Sequence, residues 1–212
     1  MKKILKGTLL IVLLPLLLTS CEQMFTYSMF EWAQRDPSNL SEAQQVSYAQ
    51  NVLGTGDQQA MADAYEAIKD NEEPEVQLLA SKLAVVASGI NEAVEQALSD
   101  LESGSTGSLE SYLDSIDSTM LDNAVKSMTA ATDDIATASE VTSEEYLTVA
   151  AAGLISAVQT NEAGADDFET AINSVDNTVT PDKNGTWSQQ ARYYFDQSGY
   201  TIDDLDSMLN YS

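Results

Sequence analysis

Three times in this chain a hydroxyl residue stands three places ahead of a glutamine or glutamate at the head of an apolar-periodic run: Ser41-Glu42-Ala43-Gln44, Thr142-Ser143-Glu144-Glu145 and Thr186-Trp187-Ser188-Gln189. At that spacing the hydroxyl accepts a backbone N–H of the first turn and the later side chain reaches back, so each tetrapeptide opens a helix. Pro74, set among Glu72, Glu73 and Glu75, marks another start, where proline loses no hydrogen bond and carboxylates favour the positive end of the dipole. Thr201 ahead of Asp203 and Asp204 reads the same way. Proline is scarce, and valine and isoleucine rarely alternate with polar residues, whereas alanine, leucine, glutamate and glutamine fill several stretches. The chain is therefore expected to be all-α.

An internal repeat says how those helices pair. Sliding residues 41–69 by 33 positions puts Val46 on Leu79, Val52 on Val85, Leu53 on Val86, Gly56 on Gly89, Ala60 on Ala93, Met61 on Val94, Ala64 on Ala97 and Tyr65 on Leu98. In both copies apolar residues precede a glycine turn, after which small and large apolar residues recur on one helix face. Each copy is an antiparallel helical hairpin. A period near 34, with Gly56-Asp57 at the turn and Ala64-Tyr65 on the second helix, resembles a degenerate tetratricopeptide repeat. The aromatic and Leu-Gly signature of that family's first helix is missing, and Ala67-Ile68 sit one place early. The expected fold is a short tetratricopeptide-like array or an irregular helical bundle over residues 41–212, with a loop or sub-boundary at the Ser-Gly-Ser-Thr-Gly-Ser run, residues 103–108.

Beyond that run, residues 118–139 place Leu121, Val125, Met128 and Ile135 on one stripe, residues 144–160 carry Tyr146, Val149, Leu154, Ile155 and Val158, and residues 166–175 carry Phe168, Ala171, Ile172 and Val175. A loop over residues 176–185 leads to a terminal segment with Trp187, Tyr193, Tyr194, Phe195 and Tyr200, read as capping the core or, alternatively, as offering a stacking surface to a ligand.

The first 21 residues carry a separate message. Lys2, Lys3 and Lys6 form a basic end, residues 9–18 an apolar centre, and small Thr19 and Ser20 precede Cys21, the chain's single cysteine. This is the order of a signal peptide, and its apolar centre is about half of the ~20 residues that a membrane-crossing helix needs. Leu18-Thr19-Ser20-Cys21 resembles the lipobox of bacterial lipoproteins. The resemblance implies that residues 1–20 are removed and that Cys21 is acylated as the first residue, with two or three acyl chains holding the protein on the membrane. In that family an aspartate after the cysteine favours the inner membrane; Glu22 here leans toward the outer one. Residues 21–40 form the anchor and juxtamembrane segment. Within it Met24, Phe25, Tyr27, Met29, Phe30 and Trp32 fit either an interfacial helix at headgroup depth or a first helix packed on the domain.

Removing the leader takes three of the nine basic residues and none of the 34 acidic ones, which leaves 6 against 34 and a net charge of −28. Such a field repels nucleic acid and anionic headgroups, so neither is an expected partner. It fits a soluble surface or a basic partner.

No histidine is present, and an acylated Cys21 offers no thiolate, which removes the commonest bases, nucleophiles and metal ligands. Asp133-Asp134, Asp166-Asp167 and Asp203-Asp204 remain as carboxylate pairs, but helical neighbours point apart. Asp182-Lys183-Asn184-Gly185 imitates the middle of a calcium loop, yet the first and twelfth positions would be Thr180 and Ala191, so an Asn-Gly turn is expected. No catalytic residue, metal ligand or cofactor is assigned. The expected role is a non-catalytic, lipid-anchored scaffold that binds an envelope protein or peptide, with Tyr48 and Tyr65 on the hairpin face. The alternative is a small-molecule binder with Trp187 and Tyr194 lining a cavity between helices. A surface-exposed lipoprotein whose acidity is its main property is a third reading.

Overall fold

The structure, a computed structural model of the chain, describes residues 36–93, 96, 109–164, 170–171 and 179–200. The leader, Cys21, the aromatic juxtamembrane segment, the 103–108 run, most of 166–175 and the Thr201 helix start lie outside them. The described residues are helical and contain no strand. The chain divides into two units, 1–41 and 42–212. What is described of the first is a 3-10 turn, Pro37–Asn39, opened by Asp36, whose carboxylate accepts the N–H of Ser38 at 3.0 Å.

In the second unit several helices begin where a side chain satisfies a first-turn N–H. Helix α1 (Glu42–Val52) follows Ser41 directly. Helix α2 (Gln58–Ile68) is capped by Asp57, which accepts from the Ala60 N–H at 3.1 Å, and α3 (Pro74–Ala87) carries its proline in the first turn. After a short α4 (Leu109–Leu113), Asp117 caps α5 (Ser118–Ala131) through the Thr119 N–H at 2.8 Å. A brief α6 (Ile135–Ala138) precedes α7 (Ser143–Gln159), where Thr142 and Glu145 form the reciprocal capping box, and a 3-10 turn, Glu162–Gly164, follows. Helix α8 (Trp187–Ser198) ends on left-handed Gly199. None of the helices among the described residues is long and apolar enough to cross a membrane.

The stripe expected over residues 118–139 is broken. Thr132 turns its hydroxyl back onto the Met128 carbonyl at 2.8 Å, and Asp134 restarts the chain by accepting the Thr137 N–H at 2.9 Å. Leu121, Val125 and Met128 do share one buried face.

The 33-residue offset is visible in the backbone. Gly56 and Gly89 both lie at positive φ, +73° and +83°, a conformation that costs a residue with a Cβ and not glycine. Val52 and Val85 are both buried, while Val46 with Leu79 and Leu53 with Val86 are all half-buried. The second helix of the first copy is α2; of the second copy, residues 90–93 and 96 are described, and they are helical. Gln58 and Glu92, at the heads of these two helices, are joined by a 2.9 Å hydrogen bond.

Each long helix packs mainly on its neighbours in the chain: α1 on α2, α2 on α3, α3 on α5, α5 on α7 and α7 on α8. The core collects where α5, α7 and α8 meet, around Leu121, Val125, Met128, Val149, Tyr146 and Tyr194. Gly153 in α7 faces Ala191 in α8, and a Cβ there would come within 3.2 Å of the alanine methyl, so the missing side chain sets how closely these helices approach. Buried polar groups also join elements. Ser81 donates to the Ala124 carbonyl at 2.8 Å, and Gln77 reaches the carbonyls of Lys69 and Asn71 at the end of α2.

Candidate partner-binding groove

Among the described residues, no helix lies over one face of α3. There α1 and α7 flank α3, and two clefts of 590 and 240 Å³ share Leu53 and Lys82 in their walls. Val46 and Leu53 from α1 and its end, with Leu79 and Val86 from the α3 side, give the groove its half-buried apolar lining. These are two of the repeat-related pairs. Glu42, Glu73 and Glu75 stand exposed at one end of the groove.

Lys82 crosses from α3 to α7 and pairs with Glu145 at 2.6 Å. The other oxygen of Glu145 accepts the Thr142 N–H at 2.8 Å, so one carboxylate closes the cap of α7 and ties that helix to α3. Burial pushes the Glu145 carboxyl up, but Lys82 and the Thr142 N–H outweigh it, and the group lies below its ordinary value. Lys69, Lys126, Lys183 and Arg192 are likewise each paired with a carboxylate, so all the basic side chains among the described residues have an acidic partner.

The tyrosines singled out from the sequence are mostly inside. Tyr48 and Tyr65 are 8% and 5% exposed, and burial pushes both phenols above their ordinary value. Tyr194 is 0% exposed, stacks on Tyr146 with ring centres 6.2 Å apart, meets Tyr193 edge-on and shares a 2.6 Å hydrogen bond with Thr129. Burial drives its phenol far above the ordinary range. Trp187 is half-buried against the same core. Neither Trp187 nor Tyr194 lines either cleft of the groove.

Comparison with protein-family models, with curated proteins and with solved structures finds no match to this chain. Its own geometry carries the functional argument.

The carboxylate pair that falls on described residues does not converge on a substrate. Asp133 binds Lys183 at 2.5 Å, and Asp134 is spent on Thr137. The same Lys183 sits in the expected turn, where Asp182 accepts the N–H groups of Asn184 through its side chain and of Gly185 through its carbonyl. Among the described residues no group of three or more acidic or cysteine side chains is placed to hold a metal ion. A third cleft, of 520 Å³, lies between the α2–α3 turn and the end of α5 and is walled mainly by polar side chains.

The sequence reading did not single out Val46, Leu53, Leu79, Val86, Lys82 or Glu162. The four apolar ones were present as repeat pairs; their half-burial depends on how α1, α3 and α7 come together. Glu162 accepts the Trp187 and Ser188 N–H groups at 2.8 and 3.0 Å, serving as a carboxylate cap for α8 from 25 residues away. Those hydrogen bonds and the Thr186 and Ser188 hydroxyls outweigh its burial and hold its carboxyl below the ordinary value.

Proposed function

We propose that this protein is a lipid-anchored, non-catalytic helical scaffold of the bacterial envelope that binds a protein or peptide partner in the α1–α3–α7 groove. The observation that carries the reading is the half-buried apolar lining of that groove, Val46, Leu53, Leu79 and Val86, on an otherwise strongly acidic domain. The clefts are half open to solvent, and a polypeptide segment can lie in them without being enclosed. A tetratricopeptide-like relationship is supported by the 33-residue offset and the paired left-handed glycines. The anchor rests on the lipobox resemblance at Leu18-Thr19-Ser20-Cys21, and the outer membrane on Glu22.

Each part has its own test. Cys21→Ser should release the protein from membranes washed with high salt and carbonate; retention equal to the parent would end the lipoprotein reading. Crosslinking of native envelopes followed by purification should give a reproducible partner that is lost with Leu79→Glu. A co-purifying metabolite with no protein would favour a carrier instead.

A further inference from the structure

Resting on that groove reading and deepening it, we propose that the occupant is an amphipathic α-helix bearing basic residues beside its apolar stripe. The groove walls carry a helix-pairing register. Ala43, Val46, Gln50 and Leu53 are spaced by three, four and three residues, and Glu75, Leu79, Lys82 and Val86 by four, three and four, the a/d spacing of a coiled-coil seam. All eight line the clefts, and none is fully buried. Each row spans about 15 Å at ~1.5 Å per residue, three turns of a facing helix. Two seams side by side form the receiving surface of a three-helix arrangement of which the described residues supply two helices, and knobs at heptad spacing on an incoming helix fit between them.

The charge of the occupant follows from the walls. Glu42, Glu73 and Glu75 are exposed at the groove, and its cation, Lys82, is already committed to Glu145. An arriving Lys or Arg therefore meets carboxylates, whereas an arriving Glu meets like charge within a chain of net charge −25. The flanks that suit such walls are basic.

The test uses the full chain in neutral-lipid nanodiscs, with empty discs as the blank, and three labelled peptides of about 21 residues, or three heptads. One has leucines at heptad spacing with lysine flanks, one has the same composition in strict alternation, and one has the heptad pattern with glutamate flanks. The helical basic peptide should bind tightest, weaken with salt, and lose at least about tenfold in affinity with Leu79→Glu and again with exposed Gln50→Arg. Circular dichroism of both variants should match the parent. Equal or tighter binding of the alternating peptide, lost with Leu79→Glu, would overturn the helix while leaving the groove as the docking site. Equal binding of the glutamate-flanked peptide would overturn the charge assignment. Binding of all peptides that ignores both variants, or no binding at all, would overturn the inference, and the Leu79 crosslink would then decide whether the groove reading falls with it.

Discussion

Tyr194 shows how one side chain can be read correctly as aromatic and still change meaning once it is placed. Its ring is enclosed between Tyr146 and Tyr193, and its hydroxyl finds Thr129, so it holds α8 on the core. Tyr194→Phe should cost about 1 kcal/mol, the net worth of one buried hydrogen bond, and Tyr194→Ala about 3–5 kcal/mol, as measured by urea unfolding. The residues legible in advance were those whose partners are local: Thr142 with Glu145, Pro74 in its first turn, and Asp182 with Asn184. Glu162, Lys82 and Tyr194 have partners between 25 and 65 residues away, and nothing in local spacing announces such pairs.

At the scale of elements, the start of α8 is the instructive case. Its sequence carries the Thr186 to Gln189 box, and Gln189 does accept the Thr186 N–H at 3.0 Å, but the Trp187 and Ser188 N–H groups go to Glu162. A charge at a helix N-terminus and two satisfied donors are worth more than either alone. Glu162→Gln should therefore destabilise the domain by about 1–2 kcal/mol, seen as a lower urea midpoint with an unchanged slope. Helix identity was written in a start signal and apolar period for α1, α3 and α7, and in apolar period alone for α2 and α5. The break at Thr132 was not, because it turns on Asp134, whose carboxylate takes the Thr137 N–H and starts a new turn where the periodicity alone would continue one helix.

Across the whole molecule, 34 acidic residues face nine basic ones, and self-repulsion opposes compaction at neutral pH. Added salt should raise the melting temperature, and so should acidification toward about pH 5, where carboxylates begin to protonate and the net charge falls. Glu145 and Glu162 set the opposite limit. Both carboxyls lie below the ordinary value of 4.5 in the folded state, so their stabilisation is complete above that pH and is lost as pH falls through the lowered values. Thermal melts across the acidic range should pass through a maximum, and the acid-side fall should flatten in Glu145→Gln and Glu162→Gln. The fold class and the hairpin repeat were legible in the sequence, as was the acidity; the groove was not, because it depends on which repeat positions remain uncovered after the helices stack. That groove is the centre of the account, and a photo-crosslinking residue at Leu79, compared with one at exposed Glu66 on α2, tests it most directly in living cells. One discrete partner captured from Leu79 and absent from Glu66 is the predicted result; the same captured species from both positions, or none from Leu79, would contradict it.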